Sequence, residues 1–351
     1  MVPIATVLAV ALAVAMPDEA GKATEMEKSL RTAVREPITS ERRQAQQRAA
    51  ASVWLVEKSV RLQGEFKKID DGELVGTDTV TTVEYWGSSV AVSADGYLLT
   101  NRHVADARYL VACACLDKKK MYGEMHVQSA RIDFAFVDFA GEAVPGRVNV
   151  VPAEGVADLC DDPMSSIWSN ADDYPARIVA LDELSDLALA QLGLTDIPFM
   201  EPTATRPEQG DSVAGLGYDG RNQRLVRLTG QFVSHCADAM DEPDDKDDDI
   251  VFLPQPMPMV ESTVPVRKGM SGGPLVTAAM TFAGINTLSD VVCGDDEPCP
   301  TENAQSFAVP GPYAVAWFRW VTGASPDRPA LCSSGGHRIE LFDPFGANRH
   351  R

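Results

Sequence analysis

Short runs of apolar and β-branched residues, separated by turn residues, recur along most of the chain from residue 52 onward. Because these runs do not alternate with helical patterns, they favour an all-β barrel or sandwich over a parallel α/β sheet. The predicted strands are Ser52–Val56, Val80–Tyr85, Ser89–Val92, Tyr97–Thr100, Ile132–Phe139, Ala176–Leu181, Leu187–Leu192, Ser212–Leu216, Leu225–Val233, Ile250–Leu253, Met259–Val264, Leu275–Val276, Phe282–Asn286 and Ser306–Val309.

Two local signals add detail to this pattern. Asp95-Gly96 between two predicted strands indicates a tight hairpin. That hairpin would place His103 a few residues beyond the end of the returning strand. Residues 22–51 are charged and rich in alanine and glutamine, which predicts one or two short helices with Ser40 as an N-cap. A solvated helical linker is favoured there over an oligomerisation arm.

The N-terminal segment indicates export. Residues 1–16 form an apolar run that ends in Ala13-Val14-Ala15, a small-x-small cleavage site, so 1–15 is predicted to be a signal peptide. The first basic residue is Lys22, which leaves an uncleaved anchor or a misassigned start as alternatives. The run is shorter than the roughly 20 apolar residues of a membrane span.

The charge balance of the chain disfavours some classes of binding partner. The 351 residues include 51 acidic and 31 basic ones, for a formal net charge of −20. Nonspecific nucleic-acid binding depends on cations that displace counterions from phosphates, so this chain is not expected to bind nucleic acid or anionic membranes. The acidity is interpreted as solubility.

Three separated motifs carry the chemistry. Ser271 lies in the glycine-flanked segment KGMSGGPLV, His103 in LLTNRHVAD and Asp186 in SDLAL. A serine hydroxyl becomes a nucleophile only with a base and an orienting carboxylate, and the order His103, Asp186, Ser271 is the trypsin-like order. His103 would act as the general base and acid, and Asp186 would hold its tautomer. The amides of Gly269 and Ser271 would form the oxyanion hole, because a glycine there lets the loop turn its N–H groups inward.

The segments DGYLLTNRHV, YPARIVALDELSDLALAQL, GDSVAGLGY, GMSGGPLV, AGINT and SFAVP resemble, in sequence and order, the protease domain of the HtrA (Deg) serine proteases. The resemblance covers about residues 50–321. It implies a chymotrypsin-like fold of two six-stranded antiparallel β-barrels, at about 50–195 and 196–321, with a terminal helix over Tyr313–Val321. The remaining segments are a helical or linker arm at 16–49 and a tail at 322–351.

The sequence departs from the HtrA pattern at three points. His103 and Asp186 stand 83 positions apart, so an insertion is expected within about 110–172. After Pro310 the chain leaves too little room for the PDZ domain that usually follows in HtrA proteins. Met270 replaces the asparagine usual in HtrA proteases and the aspartate of trypsin-like zymogens. Activation by N-terminal ion pairing is therefore not expected, and the oxyanion loop is expected to be less firmly held.

The sequence says less about substrate specificity than about the catalytic residues. No carboxylate precedes Ser271 in Val264–Lys268, which argues against a pocket for Arg or Lys and leaves the small or medium apolar P1 residues that HtrA proteases prefer. Residues Ser306–Val309 and the Gly284–Asn286 strand are predicted to form the peptide-binding wall by pairing with substrate backbone, with Ser306, Phe307 and Ala308 as binding residues.

Seven cysteines leave at least one unpaired. Cys293 and Cys299 bracket an acidic loop and are the expected local disulfide. Cys113 and Cys115, taken as alternate strand residues, are too far apart to bond with each other and would each need a distant partner. The candidate partners are Cys160, Cys236 and Cys332.

No cofactor and no metal site are expected. The Cys and His spacings do not fit zinc. The acidic stretch 241–249 lacks the glycine and glutamate of an EF-hand and is interpreted as a solvated loop.

Taken together, the sequence predicts an exported serine endopeptidase that acts on unfolded or damaged polypeptides outside the cytoplasm, in the periplasm or secreted. The alternative is a catalytically weak or inactive peptide-binding or chaperone protein with the same fold. A lipase or esterase is disfavoured by the triad order. Trimers are common among HtrA proteins, but the arm at 22–49 carries no trimerisation signal.

Overall fold

The computed structural model describes residues 39–70, 73–182, 184–203, 205–239, 257–289, 304–327 and 329. The predicted signal peptide, the acidic loop 241–249, the strand predicted at 250–253 and most of the tail lie outside the described residues. So do Cys293, Cys299 and Cys332. The chain separates into two compact units, 1–44 and 45–351, and both sheets belong to the second unit.

The described residues are mostly strand. The helices are α1 (Ser40–Ala51), α2 (Arg102–Ala105), α3 (Ala107–Lys119) and α4 (Gly311–Val321). The strands are β1 (Val53–Asp70), β2 (Glu73–Ala91), β3 (Tyr97–Asn101), β4 (Glu124–Val137), β5 (Ala143–Val151), β6 (Ile167–Asn170), β7 (Arg177–Asp182), β8 (Leu187–Gln191), β9 (Ser212–Asp219), β10 (Arg224–Ala239), β11 (Met257–Ser262), β12 (Pro274–Thr277), β13 (Phe282–Ser289) and β14 (Ser306–Pro310). Within the described ranges, no helix combines the length and the apolarity that crossing a membrane requires.

The strands form two antiparallel sheets. The first has the order β6-β5-β4-β1-β2-β3-β8-β7, and a bridge between Gly146 and Ala176 joins its two ends, so the sheet curls on itself. The second is a closed barrel of six strands in the order β10-β11-β14-β13-β12-β9. The predicted all-β fold with N-terminal and C-terminal helices is confirmed. The first sheet, however, has eight strands instead of the predicted six.

The difference in strand number arises in the region of the predicted insertion. Strands β5 and β6 were not predicted, and β1 and β2 form one long hairpin where the sequence indicated three short strands. The alternation in β4 explains its place in the sheet, since every second side chain from Ala130 to Phe136 is buried. The predicted Asp95-Gly96 turn does join β2 to β3, with Gly96 at φ +83°.

Helix α3 corrects the prediction that Cys113 and Cys115 are strand residues. Ala107, Leu110, Val111, Ala114 and Cys115 are all buried, and their spacing is the apolar stripe of a helix. Asp106 caps the helix, because its side chain accepts a hydrogen bond from the amide of Arg108. A disulfide joins Cys115 to Cys160, one of the predicted alternatives, and fixes the helix to the segment before β6.

The two sheets share an apolar core. Leu55, Leu99 and Leu189 of the first sheet belong to one buried cluster with Phe282 and Ile285 of the barrel. Helix α4 adds Trp317, 1% exposed, to the same cluster. Burial on this scale fixes the relative position of the two sheets, and the predicted catalytic residues lie at this junction.

Candidate active site

His103 and Asp186 are in direct contact. His103 lies in α2, immediately after β3. Asp186 lies in the turn between β7 and β8, and β8 pairs with β3, so the two residues lie at the same end of neighbouring strands. The Asp186 carboxylate is 2.9 Å from His103 Nδ1 through Oδ2, and its Oδ1 accepts the backbone N–H of His103 at 3.0 Å. Asp186 is only 1% exposed, so this bond is shielded from water.

The turn that holds Asp186 is itself constrained. Asp186 has φ +53°, and its backbone oxygen accepts hydrogen bonds from the amide of Arg102 and the side chain of Asn101. One residue before Asp186, the hydroxyl of Ser185 donates to buried Asp182 at the end of β7, which also accepts the phenol of Tyr313 from α4. The turn that carries the Asp186 carboxylate is thus held by contacts from the first sheet and from α4.

Ser271 lies in the turn that precedes β12. Its Oγ donates to the backbone oxygen of Thr287 at 3.2 Å, which is long for a hydroxyl donor and therefore weak. Gly272, the next residue, has φ +90°, and a Cβ there would meet Ser88 O at 2.0 Å. Only glycine fits where the barrel loop crosses the first sheet.

Two backbone amides beside Ser271 have no acceptor among the described residues. These are the N–H groups of Gly269 and Ser271. Gly220 donates to the oxygen of Lys268 at 2.9 Å and so fixes the peptide plane between Lys268 and Gly269. The N–H of a trans peptide points opposite to its C=O, so the Gly269 amide faces away from Gly220. Lys268, Gly269 and Ser271 line the cleft described below, and Gly220 does not.

Ser88 of β2 joins the two sheets at this loop. Its amide donates to Ser271 O at 2.9 Å, and its hydroxyl donates to Gly269 O at 2.7 Å. The same hydroxyl accepts the amide of Tyr218 in β9 at 2.8 Å. Ser88 is fully buried, so these bonds fix the loop without competition from water.

Replacing Ser88 with alanine is expected to lower the free energy of unfolding by about 2–5 kcal/mol, because Gly269 C=O and Tyr218 N–H would both lose a buried partner. Urea unfolding curves measure the loss. The matched control is Ser89→Ala, since Ser89 is equally buried but makes one long bond, at 3.4 Å, to Trp54 O. Equal losses in the two variants would contradict this account of Ser88.

Met270 is anchored by packing. The sequence predicted a loosely held loop because methionine cannot form the polar contacts of asparagine or aspartate. In the structure Met270 is completely buried in the apolar cluster of the barrel, and its amide donates to Arg267 O at 2.9 Å. Arg267 in turn pairs with buried Asp219 at 3.1 Å. These contacts, together with Ser88, hold the loop.

A cleft of about 310 Å³ opens beside His103 and Ser271. One wall consists of Lys58, Tyr85 and Trp86 from β1 and β2, and a second wall comes from α3. The α3 residues in this wall are Tyr109, Leu110, Cys113, Leu116 and Asp117. The ring of Tyr109 lies edge-on to His103 with centroids 6.2 Å apart. The residues between His103 and β4 therefore shape the approach to the site.

The predicted strand pairing with substrate is wrong for Ser306–Val309 and for Gly284–Asn286. Strand β14 pairs with β11 on one side and β13 on the other, and β13 pairs with β12 along Gly284 and Ile285. Ser306–Ala308 and Gly284–Ile285 are therefore paired on both sides and have no backbone edge left for an added strand. Ser306 and Ala308 are also buried, while Phe307 is half-buried.

The sequence named His103, Asp186, Gly269 and Ser271, and the structure brings them together. The sequence did not identify Ser88, Asn101 or Thr287 as residues of the site. Asn101 links two parts of the site, since its side chain donates to Asp186 O and to Thr287 Oγ1. In the described ranges, no group of three or more His, Cys, Asp or Glu side chains is placed to hold a metal ion.

Comparison with known families gives one match. The trypsin-like peptidase domain matches residues 87–285, more than half of the chain, and this range contains all three predicted catalytic residues. None of the curated proteins compared with the chain matches it.

Solved structures of proteases align with most of the chain. A variant of the HtrA-type protease AlgW with a decapeptide shares 17% identity and has a TM-score of 0.47, with 80% of this chain and 67% of that chain covered. The serine endoprotease from Yersinia pestis shares 18% identity and has a TM-score of 0.43, with 81% and 66% covered. The alignments thus span about two thirds of these proteases' own length.

Proposed function

Since the chain belongs to the trypsin-like peptidase family, we propose that it is a serine endopeptidase that hydrolyses peptide bonds through His103, Asp186 and Ser271. The observation that carries the proposal is the buried Asp186 carboxylate 2.9 Å from Nδ1 of His103, which lines one cleft together with Ser271. This arrangement holds the Nδ1–H tautomer of His103 and leaves Nε2 as the base.

The reaction begins when Ser271 Oγ attacks the carbonyl carbon of a peptide bond. His103 Nε2 takes the hydroxyl proton, and the buried carboxylate of Asp186 stabilises the resulting imidazolium. The long hydrogen bond from Ser271 to Thr287 O must first break, and at 3.2 Å it costs little.

The negative oxygen formed by the attack would accept hydrogen bonds from the amides of Gly269 and Ser271. Both amides are unpaired among the described residues, and Gly220 and Ser88 hold the loop that carries them, so little reorganisation is needed when the charge develops. His103 then gives its proton to the leaving amine, and an acyl-enzyme remains. Water attacks the acyl carbon, its proton passes to His103 and then to Ser271 Oγ, and the acid product leaves.

The proposed substrates are unfolded or damaged polypeptides outside the cytoplasm. The apolar segment at 1–16 supports export, and the disulfide between Cys115 and Cys160 fits an oxidising compartment. The HtrA-type motifs of the sequence support the substrate class. Of the predicted substrate-binding residues Ser306, Phe307 and Ala308, half-buried Phe307 is the one proposed to contact a substrate side chain.

Labelling with a fluorophosphonate probe tests the proposal. The probe forms a bond from phosphorus to an activated serine oxygen with loss of fluoride, so we expect labelling at Ser271, located by peptide mapping, and digestion of unfolded casein. Ser271→Ala should show neither. If the folded wild-type protein is not labelled and leaves casein intact, the peptide-binding alternative replaces the protease.

A further inference from the structure

Lys58 is a buried lysine whose role the proposed mechanism does not explain. It lies in the middle of β1 between Tyr85 of β2 and Phe134 of β4, and it is 6% exposed. Its side chain lines the same cleft as His103 and Ser271. Within the described part of the chain, its ammonium has no hydrogen-bond acceptor and no carboxylate partner.

The one carboxylate that lines the cleft, Asp117, accepts the phenol of Tyr85 at 2.7 Å and forms no ion pair with Lys58 among the described residues. Two more cationic or basic side chains, His103 and Lys268, line the same space. A buried ammonium without an anion is costly, and the cost falls when a ligand supplies the charge. The lining of the cleft is therefore suited to a carboxylate.

The position of Lys58 defines which part of a substrate it meets. For the proposed reaction we assign the acyl part of the substrate to the side of Thr287, whose oxygen accepts the Ser271 hydroxyl at 3.2 Å. The leaving amine lies on the His103 side, since His103 protonates it. The cleft includes His103 and residues of β1, β2 and α3 but neither Thr287 nor any residue of β14. It is therefore the space for the leaving-group side.

We propose that Lys58 is a specificity-determining residue that binds an acidic side chain, aspartate or glutamate, one or two positions after the scissile bond. This inference rests on the proposed function and names a substrate class for it. The ammonium, only 6% exposed, would form a charge-assisted hydrogen bond with the carboxylate, which gives a strong preference over the uncharged amide.

The preference should depend on pH. Burial lowers the pKa of Lys58 to about 7, and the nearby thiol of Cys113 acts in the opposite direction. The ionisable groups that face Lys58 are Tyr85 on β2, Cys113 and Asp117 on α3, and His103 and Lys268 across the cleft. Below about pH 7 Lys58 carries its charge and favours the acidic peptide; above it the neutral amine loses that preference.

Paired peptides test the proposal. They are built on a mapped casein cleavage site and differ only by aspartate or asparagine at the first or the second position after the scissile bond. For the wild type at pH 6 we expect kcat/KM to favour aspartate by about tenfold or more at one position. The ratio should approach one at pH 9. Ionisation of His103 affects both peptides alike and cancels in the ratio.

Two variants locate the effect. Lys58→Met keeps the length and the apolar stem of the side chain, and its ratio should be close to one at both pH values. Lys67→Met removes a charge from the same strand at the surface, where Lys67 pairs with Glu124 at 2.8 Å, and it should keep the wild-type ratio. If Lys58→Met does not fold, the wild-type protein alone tests the role of Lys58. Its kcat/KM ratio of the aspartate peptide to the asparagine peptide must then fall as the pH rises through 7.

The outcomes separate the two proposals. Cleavage of both peptides at equal rates by the wild type, or a ratio that Lys58→Met leaves unchanged, overturns the role of Lys58 and leaves the protease intact. A wild-type ratio that does not change with pH also overturns the role of Lys58 and leaves the protease intact. Failure to cleave any peptide, together with absence of fluorophosphonate labelling, overturns the proposed function and the Lys58 site with it.

Discussion

Ser271→Ala is expected to lower kcat by about a millionfold, because the triad works as a unit and loses its bond-forming atom. KM should change little, since the groups that would bind the peptide are untouched. The fold should also persist. The Ser271 hydroxyl makes one long bond, to Thr287 O at 3.2 Å, and the loop keeps its backbone bonds to Ser88 and Asn286.

Steady-state kinetics on a fluorogenic peptide measure this loss, with thermal unfolding curves to show that the variant is folded. The control is Ser129→Ala, since Ser129 lies on β4 with its hydroxyl bound to exposed Gln63. Its kcat should equal that of the wild type. A Ser271→Ala protein that keeps more than about one thousandth of wild-type kcat would identify another group as the nucleophile.

The chemistry of the site could be predicted because it resides in local sequence. Ser271 sits between glycines that a tight loop requires, and His103 follows a strand that a well-defined Asp95-Gly96 turn positions. The chain order of the triad then indicates the fold family. None of these inferences needs a long-range contact.

Residues that act through long-range contacts could not be predicted. Ser88 binds Tyr218 and Gly269, which follow it by 130 and 181 positions, and nothing near Ser88 in the sequence signals those partners. Lys58 is similar. It lies in an extended stretch that contains several charged residues, and only the structure shows that Lys67, nine positions further along β1, pairs with Glu124 at the surface while Lys58 is buried in the cleft.

Helix α3 shows how a pattern can mislead. Val111, Cys113 and Cys115 alternate with small residues, as a strand does, and the helical stripe emerges only when Ala107 and Leu110 are included. The mistake hid a wall of the cleft, since Cys113 and Asp117 lie on that helix.

Asp186→Asn is expected to lower kcat by about ten-thousandfold through the tautomer of His103. In the structure Oδ1 accepts the His103 amide and Oδ2 accepts Nδ1–H. Asparagine has one oxygen and one NH₂ group. If its oxygen keeps the backbone amide, the NH₂ faces Nδ1 and requires the ring proton on Nε2. That tautomer cannot take the proton of Ser271.

The backbone should tolerate this change. Asp186 has φ +53°, and asparagine adopts the left-handed region as readily as aspartate does. Asp196→Asn is the matched control, because Asp196 has φ +59° and an exposed side chain on a loop outside the cleft. Kinetics and thermal unfolding of both variants should show equal stability and a kcat loss confined to Asp186→Asn. A loss smaller than about tenfold in Asp186→Asn would mean that the carboxylate supports the loop and does not orient the base.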